Sequence, residues 1–201
     1  MGKIYYIADC HLFHENVIKF DNRPFNNVEE MNRTIINNWN NRVRNNDTVY
    51  ILGDFIWKST YIWPEIVKSL NGKKILILGN HDPKVYSREV EECFEEIVGY
   101  KEISDCNKRI IMCHYPIIFH NKDHAENCYM LYGHVHITKE YQYLKEIRKD
   151  IKKRIDKETA SPLGNFINVG CMMPWINYTP RTIEEIVAGD EEYLGEDKCI
   201  T

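Results

Sequence analysis

Five short clusters of polar residues in this sequence contain side chains that commonly bind metal ions. In chain order they are Asp9-x-His11, Gly53-Asp54, Gly79-Asn80-His81-Asp82, His114 and Gly133-His134-x-His136. Each cluster alone is a weak signal, because such pairs arise by chance and an isolated histidine is more often structural than a ligand. Carboxylate and nitrogen ligands in combination suit manganese, iron, zinc or nickel better than calcium. The set therefore predicts a centre for transition-metal ions.

Four of these clusters directly follow apolar runs that have the length of a buried strand. The runs are IYYIA at 4–8, VYIL at 49–52, ILIL at 75–78 and IIMC at 110–113. In open α/β sheets, ligands bind at the carboxyl ends of the strands, where several loops converge. We therefore expect these clusters to meet at one edge of a sheet. Later runs, CYMLYG at 128–133 and FINVG at 166–170, are expected to form a second sheet packed on the first.

The segments between the first runs carry helical patterns. Asn27 and Glu30 form the signature of a helix N-terminus, and apolar residues at helical spacing follow them. Further helices are expected near 61–70 and near 86–95. This alternation of strands and helices predicts an α/β fold with helices on the faces of its sheets.

A basic amphipathic helix is predicted near 139–157, after the last cluster. Eight Lys or Arg residues outnumber four acids there. Charge on a helix face commonly serves solvation alone, and the alternative is a lid or a flank that steers anions toward the metal centre. The predicted apolar stripe of this helix consists of Tyr141, Leu144, Ile147, Ile151 and Ile155.

Taken together, the five clusters resemble the pattern of the calcineurin-like metallophosphoesterase superfamily: D-x-H, G-D, G-N-H-D/E, H and G-H-x-H. The match spans 4–136 and continues through Asn168-Val169-Gly170. The sequence from His14 to Phe25 also resembles a small bacterial and phage branch of that superfamily. The resemblance implies a four-layer αββα fold, a double β-sheet sandwich flanked by helices. We expect a single domain over 1–201, with a helical insertion or lid near 137–160.

The resemblance also implies two divalent metal ions, with manganese as the preferred candidate and iron, zinc or nickel as alternatives. Mutual repulsion of the two ions demands a shared anion, and the resemblance implies that Asp54 is this bridging ligand. The other expected ligands are Asp9, His11 and His136 for one ion, and Asn80, His114 and His134 for the other.

The family mechanism that the resemblance implies is attack on a phosphate ester by a hydroxide that bridges the two ions. His81 would lie beside the leaving-group oxygen, and Asp82 would orient its other ring nitrogen. Two interpretations of His14 and Asn16 are open. They could contact the substrate or the metal ligands, or they could only cap a loop. Leu12 replaces the glycine that usually follows the first histidine, and we expect it to narrow or reshape the pocket.

Composition restricts the partners that the protein is expected to have. The chain carries 26 Lys plus Arg against 30 Asp plus Glu, a formal charge of -4, so its overall charge does not indicate a nucleic-acid partner. Seven cysteines are scattered without paired spacing, which predicts reduced thiols in a cytoplasmic protein. No apolar segment reaches the length of a signal peptide or a membrane span.

These observations predict a metal-dependent phosphodiesterase or phosphatase that acts on a small phosphorylated substrate, with a nucleotide as one candidate. Two alternatives stay open. A nuclease acting on DNA or RNA would belong to the same superfamily, but it would normally have a clear basic groove. A catalytically inactive scaffold would keep the fold alone, because a fold does not establish an activity.

Overall fold

The computed structural model describes residues 2–154 and 164–196. Their strands form two four-stranded sheets. Neighbouring strands of the first sheet pair in parallel and follow one another in chain order, so that their carboxyl ends share one edge. The strands of the first sheet are β1 (Ile4–Ile7), β2 (Thr48–Ile51), β3 (Lys73–Ile77) and β4 (Glu96–Val98).

The second sheet is mixed, because its first strand runs antiparallel to the next and the remaining pairs are parallel. The run at 110–113, which the sequence pattern grouped with the first sheet, belongs to this second sheet. The structure also contains two strands that were not predicted, β4 of the first sheet and the first strand of the second sheet. Their residues are mostly half-buried and form no long apolar run. The second sheet consists of β5 (Lys101–Asp105), β6 (Lys108–Met112), β7 (Cys128–Tyr132) and β8 (Phe166–Asn168).

Helices connect and flank the sheets. Their first residues agree better with the predictions from sequence than their lengths do. The side chain of Asn27 caps the second helix by accepting a hydrogen bond of 2.8 Å from the backbone N–H of Glu30. The helix expected near 86–95 is a single turn, after which the chain enters β4. The helices of the described ranges are α1 (Glu15–Phe20), α2 (Val28–Arg42), α3 (Trp63–Ser69), α4 (Arg88–Glu91), α5 (Lys139–Arg154) and α6 (Ile183–Glu196).

The segment that follows β8 joins the two sheets. Ala8, just beyond β1, pairs with Gly170 in a parallel bridge. The N–H of Ala8 donates to the carbonyl of Val169, and the N–H of Cys171 donates to the carbonyl of Ala8, each at 2.8 Å. β1 therefore lies between β2 on one side and this late segment on the other. The predicted two-sheet α/β fold is confirmed, whereas the single domain with a lid stays a prediction.

The basic helix expected near 139–157 corresponds to α5, and residues 155–157 lie outside the described ranges. Its buried face differs from the predicted apolar stripe. Tyr141 is buried as expected, but Ile147 is 40% exposed and Arg148 is only 6% exposed. The guanidinium of Arg148 pairs with the buried carboxylate of Asp190 on α6 through contacts of 2.8 and 2.7 Å. A charged residue thus takes a place on the inner face of this helix.

None of the helices in the described ranges combines the length and the apolar character that crossing a bilayer requires.

The ion pair between Arg148 and Asp190 should dominate the attachment of α5 to α6. We expect Asp190→Ala to lower the free energy of unfolding by about 3–5 kcal/mol, because it leaves a buried guanidinium without a counter-charge. Urea unfolding followed by circular dichroism measures this change. Glu192→Ala, an exposed acid on the same helix, is the matched control and should change stability by less than about 0.5 kcal/mol. Equal effects of the two variants would contradict the assignment.

Candidate metal centre

The loops that follow β1, β2, β3, β6 and β7 converge and bring the expected ligands together. Among the described residues, two overlapping groups could hold an ion, with the donor atoms of each group within 4.8 Å of one another. The first group is Asp9, His11 and His136, and the second is Asp9, Asp54 and His114. Asp9 and Asp54 are only 0% and 3% exposed. Buried carboxylates require hydrogen bonds or a compensating positive charge, and a cation can supply that charge.

The first group places two imidazole nitrogens face to face. Nε2 of His11 lies 3.3 Å from Nε2 of His136. Nε2 of His11 also lies 3.5 Å from Oδ2 of Asp54, and Nε2 of His136 lies 3.8 Å from Oδ1 of Asp9. Two neutral imidazoles that present lone pairs to each other repel, whereas both can donate to one shared cation. This group therefore fits a transition-metal ion.

The second half of the site is built around Asn80. Its Oδ1 lies 3.0 Å from Nε2 of His114 and 2.8 Å from Nδ1 of His134. Nδ1 of His114 is 2.8 Å from the carbonyl oxygen of Leu52, to which it donates its proton. A neutral His114 then has only a lone pair at Nε2, which cannot bond to the amide oxygen of Asn80. Two acceptors at this distance also fit a cation between them.

Asp54 lies between the two halves. Its Oδ2 is 3.5 Å from Nε2 of His11 and 3.5 Å from Nε2 of His114. Its other oxygen, Oδ1, accepts a hydrogen bond of 2.9 Å from the backbone N–H of His81. One carboxylate oxygen is therefore equidistant from imidazoles of both halves, which is the position expected of a bridging ligand.

Left-handed backbone conformations turn most of these side chains toward the centre. Non-glycine residues with positive φ are uncommon, and they concentrate at functional sites. The N–H of Asp9 donates to the carbonyl of Gly53 at 3.1 Å, and the N–H of His11 donates to the carbonyl of Asp54 at 2.9 Å. Five expected ligands have such backbone angles: Asp9 (φ 52), His11 (φ 47), Asp54 (φ 51), His134 (φ 68) and His136 (φ 46).

Glycines that precede ligands are required for close approach. Gly53 has a φ of 86, and a Cβ there would lie 2.3 Å from Nδ1 of His114. A Cβ on Gly79 would lie 2.3 Å from Oδ1 of Asp54, although its φ is not in the left-handed region. Space is thus the common requirement at these two positions, and a positive φ is required only at Gly53.

The expected partnership of His81 and Asp82 is not what the structure shows. Asp82 is buried, and its carboxylate accepts hydrogen bonds from the backbone N–H groups of Asp54, Phe55 and Gly79, at 2.9, 3.1 and 2.8 Å. It therefore holds the loops after β2 and β3 together and does not orient the imidazole of His81. His81 is exposed at the edge of the site, with its ring centroid 5.8 Å from that of His11.

The residues near the first cluster have mainly structural contacts. Nδ1 of His14 accepts a hydrogen bond of 3.1 Å from the N–H of Val17, so His14 caps α1. Asn16 is exposed on the first turn of that helix. Leu12 is fully buried in the hydrophobic core, and its expected effect on the shape of the pocket stays a prediction. For His14, the capping interpretation is confirmed, and a contact with substrate through its other ring nitrogen stays a prediction.

Sequence reasoning missed Asp21, which lies directly behind His136. Nδ1 of His136 is 2.8 Å and 2.9 Å from the two carboxylate oxygens of Asp21. This hydrogen bond directs Nε2 of His136 toward Asp9, as carboxylates commonly do for metal-binding histidines. No motif spacing marked Asp21, because it follows α1 in a loop whose path the sequence did not reveal.

Arg23 completes the network around Asp21. Its guanidinium is buried and contacts the Asp21 carboxylate at 2.8 Å. It also donates to the backbone carbonyls of Asp9 and Cys10 at 2.9 and 3.0 Å. Arg23 therefore connects the loop that carries the first ligand to the carboxylate that positions the last one.

Burial favours the neutral, metal-binding form of two of the imidazoles, those of His11 and His134. Burial, reinforced by His136, lowers the pKa of His11 to about 2. Burial and the nearby His114 lower the pKa of His134. Burial also opposes charge on His136, but its hydrogen bond to Asp21 and the carboxylate of Asp9 outweigh this effect and raise its pKa. Burial likewise raises the pKa of Asp9, which is the response of a carboxylate in need of a cation.

The fold and these donor atoms define an α/β protein with a candidate metal centre. Two β-sheets flanked by helices bring the candidate ligands together at the ends of their strands. The sequence profile described as "Calcineurin-like phosphoesterase" matches residues 2–156. The chain therefore belongs to the calcineurin-like phosphoesterase family, as the resemblance of its five clusters implied. Members of this family typically bind divalent metals, and the two donor groups described above are candidates for that role.

The chain is also similar to individual proteins. The chain is 36% identical over 174 residues to the uncharacterized protein MJ1445 of Methanocaldococcus jannaschii, covering 82% of this chain and 88% of that protein. It is 34% identical over 88 residues to the Gene 66 protein of Mycobacterium phage L5, covering 41% of each. The solved structure of AQ665, a protein of unknown function from Aquifex aeolicus, has a TM-score of 0.64 at 29% identity and covers 94% of this chain and 99% of that chain. None of these names specifies a substrate.

The contact between Asp21 and His136 should contribute to metal affinity. We expect Asp21→Asn to weaken manganese binding about 10- to 100-fold, because the neutral amide no longer raises the basicity of the imidazole. Equilibrium dialysis with elemental analysis measures the affinity, and circular dichroism checks that the variant is folded.

A matched control for this variant exists elsewhere in the chain. Asp123 lies beside the exposed His124, at 3.4 Å, in a loop that contributes none of the expected ligands. Asp123→Asn should leave manganese affinity unchanged. Unchanged affinity in a folded Asp21→Asn protein would show that Asp21 does not position the metal ligand.

Proposed function

We propose that this chain is a binuclear metal-dependent phosphoesterase that hydrolyses a phosphodiester or a phosphomonoester, with manganese as the preferred metal. The observation that supports two ions is the position of Asp54, whose Oδ2 is 3.5 Å from an imidazole nitrogen of each half of the site. Two neighbouring cations repel each other, and a shared carboxylate reduces that repulsion. Family membership supports the class of reaction.

When bound, two divalent cations would polarise a phosphoryl oxygen and lower the pKa of water toward neutrality. The chain contributes the positioning of these ions and the proton chemistry around them. His11 and His136 would present their Nε2 atoms to one ion, and Asn80 and His114 would present donors to the other. The buried Asp21 behind His136 keeps its ring nitrogen in the required direction.

His81 is proposed as the general acid. Its side chain is exposed beside the ring of His11, where a leaving-group oxygen could approach it. Its backbone N–H donates to the carboxylate of Asp54, which fixes the backbone of His81 relative to the proposed ions. From there it can donate a proton to the departing oxygen. Asp82 supports this loop by binding backbone N–H groups and takes no part in the proton transfer.

The proposed substrate is a small phosphorylated compound, with a nucleotide as one candidate. A nuclease would rely on an extended basic surface, for which α5 is the candidate. Arg148 of that helix is buried against Asp190, so it is withdrawn from any such surface. This observation favours the small substrate.

Variants of the proposed ligands and of the proposed acid should behave differently. We expect Asp54→Asn and His136→Ala to lower metal content and turnover together, because each removes a donor atom. By contrast, His81→Ala should keep its metals and lose roughly 10²- to 10⁴-fold in turnover, the range for loss of a general acid. Bis(p-nitrophenyl) phosphate and p-nitrophenyl phosphate with manganese provide the activity measurement, and elemental analysis provides the metal content.

Equal loss of metal in the three variants would contradict the role given to His81. A wild-type protein that purifies and dialyses without stoichiometric metal, and that hydrolyses neither ester with manganese, would be an inactive scaffold. A clear preference for one of the two esters would decide between diester and monoester chemistry.

A further inference from the structure

Trp57 differs from the other tryptophans of the chain. Of the four, Trp39, Trp63 and Trp175 are 0%, 0% and 7% exposed, whereas Trp57 is 43% exposed. A large aromatic side chain that keeps so much of its surface in water gains less from burial than a core residue does. Its location therefore requires a reason other than core packing.

Trp57 lies beside the imidazoles of the candidate metal centre. Its ring centroid is 3.9 Å from that of His14, 4.7 Å from that of His81 and 6.0 Å from that of His11. Its backbone N–H donates to the carbonyl of Leu12 at 2.8 Å, which fixes the loop after Asp54 against the first ligand loop. The indole thus contacts histidines of the site, and 43% of the residue's surface stays exposed and can contact a ligand.

We propose that Trp57 is the platform on which the base of a nucleotide substrate stacks, next to the proposed leaving-group position at His81. This inference rests on the proposed function and narrows its substrate to nucleotide esters. A nucleotide joins a planar aromatic ring to the phosphate that the metal centre would hold. Stacking on tryptophan suits every base, because each base has a π-face, and this mode of binding requires no base-specific hydrogen bonds.

A second half-exposed aromatic side chain lies on the other half of the site. Tyr115 is 45% exposed, and its ring centroid lies 4.7 Å from that of His134 and 5.2 Å from that of His114. Because it is not in contact with His81, we assign the base to Trp57 and not to Tyr115. Tyr115 therefore provides a comparison within the same site.

The first experiment compares two ligands that share a phosphate and differ in the base. Adenosine monophosphate should bind the zinc-loaded protein about tenfold more tightly than ribose 5-phosphate does, because only the former has a ring to stack. Its binding should also quench tryptophan fluorescence, since Trp57 is the exposed indole. In Trp57→Leu the affinity ratio should fall below about twofold and the quenching should disappear, whereas Trp57→Phe should keep most of the ratio.

The second experiment separates binding from chemistry. For a nucleotide ester that the protein hydrolyses, Trp57→Leu should raise KM about tenfold and change kcat by less than about twofold. Tyr115→Leu should leave the ratio of the two affinities unchanged. Tyr61→Ala, which replaces an aromatic side chain that is 80% exposed four residues further along, is the control for general surface effects and should alter neither constant.

Outcomes of these experiments separate the platform from the proposed function. Equal affinities for adenosine monophosphate and ribose 5-phosphate in the wild type, or an unchanged affinity ratio in a folded, metal-loaded Trp57→Leu protein, would overturn the platform even if esters are hydrolysed. Base-dependent binding that requires Trp57, without hydrolysis of any ester, would support the platform and contradict the proposed phosphoesterase.

Discussion

The backbone of the ligand loops is the constraint on which the centre depends. In an extended strand, residues two apart point to the same face of the sheet, so Asp9 and His11 need a local change of direction to reach donors on the loops beyond the strand end. Left-handed conformations at both residues provide that change. Such conformations are unfavourable for side chains other than glycine, and they persist only where neighbouring structure stabilises them. Hydrogen bonds from their N–H groups to the loop after β2 give that stabilisation.

Two buried charged residues support these loops without being ligands themselves. Asp82 binds three backbone N–H groups, and Arg23 binds two backbone carbonyls. Irregular loops that lie inside a protein leave polar backbone groups that regular sheets would satisfy, and each such group is costly when unpaired. The carboxylate of Asp82 satisfies the backbone donors, and the guanidinium of Arg23 satisfies the backbone acceptors. The polar residues near the centre therefore divide into those that would contact ions and those that make the loops possible.

The parts of the structure that follow from local sequence were predicted best. β1, β2, β3 and β7 are buried apolar runs, and the start of α2 is marked by its capping side chain, so these elements were found. β4 and β5 were missed because half-buried strands at the margins of a sheet alternate weakly and carry charge. The face of α5 was misjudged because periodicity cannot show that Arg148 would find a buried carboxylate on a helix far along the chain. Periodicity describes a residue's direction, and its partner is decided by tertiary structure.

The same distinction applies to the candidate site. The expected ligands were found because each follows a strand and belongs to a recurrent pattern, and the structure brings them together. Asp21 and Trp57 lie in loops without a motif, and their proximity to His136 and His81 arises only from folding. Asp82 belongs to the motif, and its position beside His81 in sequence suggested a contact, but its carboxylate instead binds backbone N–H groups of two loops. Adjacency along a chain is therefore poor evidence for contact between two side chains.

The bridge between Ala8 and Gly170 has a consequence for how the molecule forms. The carbonyl of Asp9 receives a hydrogen bond of 3.1 Å from the thiol of Cys171, a residue 162 positions later in the chain. Closing a loop of this size is slow compared with forming a helix or a hairpin. Because the two segments are so far apart in sequence, the first strand also leaves the ribosome long before its partner on that side has been synthesised. Folding intermediates should expose that edge of β1, and the candidate metal centre should assemble among the last steps.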